Sequence, residues 1–169
     1  VSAARKPVIV CNLTRDWCAG YAIANPAEEN SDLELLDSAG KLRRIPWSQV
    51  KWVCYVRDFL SEGSGTAFAN DGAQPERLLR RKFSTRPRIA GVWLSLLLAD
   101  GEELEGVAAN DRSLIDGVGL LLTPPDTRSN TQRVFVPRAA IRELTILGVI
   151  SAAVPGRPRP GHQPQLFEN

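Results

Sequence analysis

Apolar and polar residues alternate in short runs along this chain, and the runs come twice. Val8 and Val10 in the first part, and Leu94, Leu96 and Leu98 in the second, follow the two-residue period of half-buried strands. A tight-turn signal interrupts each series. Ala99-Asp100-Gly101-Glu102 is the strongest, because Asp-Gly readily supplies positive φ, and Thr14-Arg15-Asp16 holds the same place in the first part without glycine. A third strand is predicted over 32–37 and again over 118–123. Ser38-Ala39-Gly40 then turns the first part into a fourth strand over 41–45, whereas the second part inserts a longer polar loop, Pro124–Asn130, before a strand over 133–136. Pro46 and Pro137 each stand four residues before Val50 or Ile141. That spacing fits a single 3₁₀ turn, since proline fixes φ and has no N–H for a ladder. A fifth strand follows each turn.

Residues 92–147 therefore read as a second copy of residues 8–56. Gly20 falls on Gly106, Ala22 on Ala108, Leu35 and Leu36 on Leu121 and Leu122, and Pro46 on Pro137. Such a repeat announces architecture before chemistry. The spacing Leu98-x-Asp100-Gly101-x-x-Leu104-x-Gly106 resembles the first hairpin of Sm-like proteins. The run from Val53–Phe59 to Arg133–Pro137 is similar to a group of uncharacterised bacterial proteins with paired barrels. The resemblance implies a fold and brings no activity with it. The expected fold is all-β, with two tandem SH3-like or Sm-like five-stranded barrels produced by duplication, over 1–59 and 92–150.

Between the copies, residues 60–91 begin with a Gly-, Ala-, Ser- and Asn-rich loop, 60–74. Pro75–Phe83 follows, with proline suited to a first helical position and Leu78, Leu79 and Phe83 on one side, so a short basic helix is predicted. Residues 151–169 are expected to be a disordered Pro-rich tail with a terminal peptide motif. Its Pro-, Gly- and Arg-rich stretch, 151–161, cannot offset its ordering entropy by burial and reads as a linker.

Composition narrows the function classes. A formal charge of +2 over 169 residues points in bulk to neither nucleic acid nor membrane, and no apolar run is long enough to span a bilayer. Cys11, Cys18 and Cys54 lack metal-like spacing, and the single histidine, His162, sits in the tail, so no metal or cofactor is expected. The cysteines read as reduced core residues of a cytoplasmic protein; a two-residue turn would set Cys11 opposite Cys18, and a bulged turn would put them on different faces. Without a histidine base in the repeats, a G-x-S-x-G elbow or a P-loop, an enzyme is not expected. Glu102, Glu103 and Glu105 read as a solvated face.

Two departures from the repeat carry the functional expectations. The first is the basic stretch Arg77, Arg80, Arg81, Lys82, Arg86 and Arg88, which holds a single acid, Glu76. It can neutralise phosphates with a steep salt dependence, or it can cover the barrel and pair with acids such as Glu102 or Glu105. As a phosphate site it would take nucleic acid, with Trp17, Trp47, Trp52 and Trp93 as stacking surfaces or as core. Arg77-x-x-x-Arg81 ahead of Asp111-x-Ser113 is also similar to the PilZ layout, which implies a cyclic dinucleotide, although glycine comes one residue late, at Gly117. The second departure is Gln163-Pro164-Gln165-Leu166-Phe167, whose Q-x-x-L-F spacing resembles the bacterial sliding-clamp-binding peptide. By that resemblance Gln163 anchors at a pocket rim while Leu166 and Phe167 fill it. The function expected from sequence is a non-enzymatic adaptor presenting this peptide to a protein partner, with the sliding clamp as one receptor. Phosphate-ligand binding through Arg77–Arg88 is the alternative.

Overall fold

The alternating runs become ten strands in a computed structural model that describes residues 4–26, 32–59, 78, 80–126 and 128–152. In chain order they are β1 (Arg5–Asn12), β2 (Trp17–Ile23), β3 (Asp32–Leu36), β4 (Leu42–Pro46), β5 (Val50–Val56), β6 (Gly91–Leu98), β7 (Glu103–Ala108), β8 (Gly119–Thr123), β9 (Thr131–Pro137) and β10 (Ile141–Ile150). The fold is all-β. All ten belong to one antiparallel sheet of order β10-β6-β7-β8-β9-β5-β1-β2-β3-β4.

The duplication is visible in that order. Each half runs fifth, first, second, third, fourth, and the halves meet where β5 pairs with β9. There Val53 lies opposite Phe135, Cys54 opposite Val134 and Tyr55 opposite Arg133. The linker residues therefore do not separate two independent sheets. No described residue between 78 and 90 is helical, so the described part of the predicted basic helix is irregular, and Leu78 is fully buried.

Turn chemistry repeats as well. Leu98 N–H donates to Glu102 O and Gly101 N–H to Leu98 O; in the first half Asn12 N–H donates to Asp16 O and Arg15 N–H to Asn12 O. Gly101 sits at φ 87° and Arg15 at φ 68°, so arginine occupies the left-handed position that glycine fills in the other copy. The turn is the bulged kind. Val10 pairs with Cys18 and Cys11 with Trp17, which puts the two cysteines on different faces. The single 3₁₀ turns after the prolines are present at Trp47–Gln49 and Arg138–Ala140.

One detail of the copy alignment is corrected. Leu33 and Leu35 pair with Ile45 and Arg43, whereas Leu120 and Leu122 pair with Val136 and Val134, so Leu35 corresponds to Leu122 and not to Leu121. All four leucines are buried. Identical residue types had allowed a one-position slip, and in a strand such a slip exchanges the faces. Gly20 and Gly106 then acquire a shared reason. A Cβ on Gly20 would lie 2.7 Å from the Leu35 side chain, and one on Gly106 would lie 2.8 Å from that of Leu122.

Two apolar clusters form the core. One joins Val8, Val10, Leu33, Leu35, Trp47 and Val53, and takes Phe135 from the second half. The other joins Leu94, Leu96, Leu104, Leu120, Leu122 and Val134, and takes Trp52 and Cys54 from the first half. Each half thus inserts side chains into the other's core.

Candidate functional site

The register of β5 contains a bulge at Lys51: Asn12 pairs with Val50, and Cys11 with Trp52. That bulge aims a lysine inward where its neighbours are apolar, and Lys51 is 2% exposed. Its Nζ lies 2.5 Å from Asp100 Oδ2, contacts Glu102 Oε2 and sits 4.3 Å from the centre of the Trp52 ring. Arg81 completes the group, with Nη1 3.0 Å from Glu102 Oε2. Burial alone would raise the Asp100 carboxyl, but hydrogen bonds from Lys51 and the Glu102 backbone, with the Lys51 charge, hold it below the ordinary value. Strand β5, the β6–β7 turn and the segment between the copies are joined by one charge cluster.

The basic stretch is placed piece by piece. Arg77 lies outside the described residues. Arg81 is held by Glu102, and its carbonyl accepts a hydrogen bond of 2.7 Å from the Glu105 N–H. Lys82 pairs with Glu103. The Phe83 N–H and Trp93 Nε1 both donate to Glu105 Oε2, at 3.0 and 3.2 Å, and the Phe83 ring meets Trp93 edge-on. Arg86 donates to the Val149 carbonyl at 3.1 Å. The acids read as a solvated face are therefore the partners of this segment, which crosses the second repeat from β7 to β10. What faces outward is a cleft of about 260 Å³ bordered by Arg80, Lys82, Phe83, Arg86, Arg88 and Pro125.

Arg81, Asp111 and Ser113, the described PilZ-like residues, do not line that cleft. The Asp111 carboxylate accepts from the Ser113 N–H and Oγ, at 2.9 and 2.5 Å, which also holds its acid below the ordinary range. Arg112 pairs with Asp116, and Arg138 donates to the carbonyls of Ser113, Asp116 and Gly117. The loop caps its own 3₁₀ turn at Arg112–Leu114, and none of its residues borders the basic cleft. Of the tryptophans, Trp47 and Trp52 are buried and offer no stacking surface.

A second cleft of about 520 Å³ opens where the repeats join, beside the β5–β9 pairing. Lys6, Arg57 and Arg133 border it together with Tyr55, Leu121 and Gln132, and none of its described lining residues is acidic. Arg133 Nη1 donates to Thr123 Oγ1 at 2.9 Å. These cations come from β1, from the residue after β5 and from β9, too far apart in sequence to form a run.

The same junction frames the comparison with known proteins. The model of a family of unknown function, DUF6982, matches residues 4–148. The chain belongs to DUF6982. The match covers both repeats, the β5–β9 junction and the Lys51 cluster. It stops short of Gln163, Leu166 and Phe167, which also lie outside the described residues. No curated protein and no solved structure matches the chain.

In this DUF6982 chain the thiols are poor nucleophiles. Burial pushes Cys11 up to about 11 and Cys54 up to about 12, and it raises Cys18 as well. Among the described residues no group of three metal-ligating side chains gathers, and no helix is long and apolar enough to cross a membrane.

Sequence reasoning missed two features of the junction. Lys51 carried a signal, a lone lysine inside Val50-Lys51-Trp52-Val53. The cleft cations carried none, because only the pairing of β5 with β9 brings them together.

Proposed function

We propose that this chain is a non-enzymatic interaction module of the bacterial cytoplasm, built from two SH3-like or Sm-like repeats fused through β5 and β9. The fifth-first-second-third-fourth order of each half, with a 3₁₀ turn before its fifth strand, supports that reading of the repeats. The observation that carries the interaction reading is β10. Of the large apolar side chains exposed among the described residues, Leu144, Ile146, Leu147 and Val149 all lie on this strand, with Ile146 62% exposed. A row of this kind on a sheet edge supports reading β10 as a docking surface.

The chain continues from β10 toward the Gln163, Leu166 and Phe167 peptide, which in this reading is presented to a partner such as the sliding clamp. The test is titration of purified bacterial sliding clamp with the full chain. Leu166→Ala/Phe167→Ala is expected to weaken binding at least about a hundredfold, the loss of two apolar anchors. Equal affinity of the variant and the parent would remove the clamp from the reading.

A second reading is favoured by the junction cleft, where Lys6, Arg57 and Arg133, cations from three separate parts of the chain, border one opening. A phosphate-bearing ligand, either single-stranded nucleic acid or a cyclic dinucleotide, fits that charge pattern. Binding of an oligonucleotide or of cyclic di-GMP is then expected to fall steeply between low and physiological salt, and to weaken in Arg57→Gln. A salt-independent titration would exclude this reading.

A further inference from the structure

The internal junction is itself a template for an interface. Strands β10 and β4 end the sheet, and no described strand pairs with their outer edges. Each is the repeat counterpart of a strand that is paired at the junction. Strand β10 corresponds to β5 position by position from Ile141 to Ile146, because both carry the same bulge: Lys51 is skipped between Val50 and Trp52, and Arg142 between Ile141 and Glu143. Leu144, Thr145 and Ile146 thus stand for Val53, Cys54 and Tyr55. Strand β4 corresponds to β9, since both end on a proline before a 3₁₀ turn, so Leu42, Arg43 and Arg44 stand for Arg133, Val134 and Phe135.

We propose that copies of this chain associate head to tail, β10 of one molecule pairing antiparallel with β4 of the next in the register that joins β5 to β9. The proposal rests on reading β10 as an interaction surface, and it names a second copy as the partner. The register sets Leu144 opposite Arg44, Thr145 opposite Arg43 and Ile146 opposite Leu42. Ile146 and Leu42, 62% and 43% exposed, would cover each other. Glu143 stands diagonal to Arg43 on the other face, an opposite-charge neighbour of the kind that supports antiparallel pairs. Every residue of β5 is buried with β9 beside it, whereas most of β10 is exposed, and the missing neighbour accounts for the difference. Arg44 in place of Phe135 removes the aromatic anchor, so the association is weaker than the internal junction and depends on concentration. Such an interface uses two different surfaces, and it produces rings where the rotation closes and filaments where it does not.

Sedimentation velocity of the full chain across a concentration series tests this. The mean mass is expected to rise with concentration, and Ile146→Lys or Leu42→Lys should each shift the rise to at least about tenfold higher concentration with circular dichroism unchanged. A charge-swap pair guards against misfolded variants. Arg43→Glu and Glu143→Arg should each associate weakly alone, and their equimolar mixture should recover, since alternating copies set an acid against a base at every interface. A monomer at all concentrations overturns self-association, while leaving clamp binding to its own titration. Dissociation by Ile146→Lys but not by Leu42→Lys means that β10 pairs with another β10, which overturns the head-to-tail register and retains β10 as an interaction surface.

Discussion

Lys51→Ala is expected to destabilise the protein by about 3–5 kcal/mol, the range for removing one partner of a buried ion pair. That is a large part of the roughly 5–15 kcal/mol that holds most domains folded. Lys51 is 2% exposed and faces Asp100 and Glu102, so its removal leaves two carboxylates together with Arg81 beside Glu102 and the Arg15 charge acting on Asp100. Urea denaturation measures the loss, and a change below about 1 kcal/mol would place the pair with solvent-screened surface bridges. Lys51→Met separates packing from charge, because it keeps the stem against Trp52. Adding Asp100→Asn to Lys51→Met, with Glu102 kept as the partner of Arg81, is expected to recover most of the stability, since one carboxylate then faces one cation. Acid provides an independent check. The Asp100 carboxyl is held below its ordinary value in the folded state, so its contribution is present above the unfolded value of about 4 and lost as pH falls through the folded one. Asp100→Asn should flatten this acid limb.

Phe135→Ala should cost a similar amount, about 3–5 kcal/mol for a buried phenylalanine. The ring is fully buried, stands 5.2 Å from Trp47 centre to centre, and belongs to the second repeat while filling the core of the first. Gly119 makes room for it, since a Cβ there would come within 2.7 Å of Phe135 Cζ. A side chain shared in this way couples the repeats. The variant is expected to unfold in one transition, with a lower midpoint and an unchanged denaturant slope. Two separate transitions, only one of them moved by the substitution, would show that the halves are energetically independent.

The strands were legible because their period is local. Alternation, Asp100-Gly101 and the prolines at Pro46 and Pro137 act within a few residues, and the structure places strands and 3₁₀ turns where they point. The repeat was legible too, apart from the one-position slip at Leu35, where a run of leucines offers no landmark. The basic helix was misread over its described part. Its composition suits a helix, but Leu78, Arg81 and Phe83 gain more from the second repeat, through burial, the Glu102 pair and the bonds to Glu105. Tertiary contacts of this kind override a weak local propensity.

The candidate surfaces divide in the same way. From residue order alone came the duplication and three departures from the repeat: the basic stretch, the Pro124–Asn130 loop and the tail peptide. Tertiary structure decided what the described part of the basic stretch does in the folded chain. It assigned Arg81 and Lys82 to Glu102 and Glu103, gathered Lys6, Arg57 and Arg133 around one cleft, and covered β5 while leaving its counterpart β10 exposed. The physical reason is sequence separation. A strand's period and a turn's φ are set by neighbours along the chain, whereas a charge's partner and a strand's edge are set by residues far away in sequence. Two halves of the same strand order therefore meet different fates: one fifth strand is enclosed by the junction, and the other is left at the edge with its aliphatic row open.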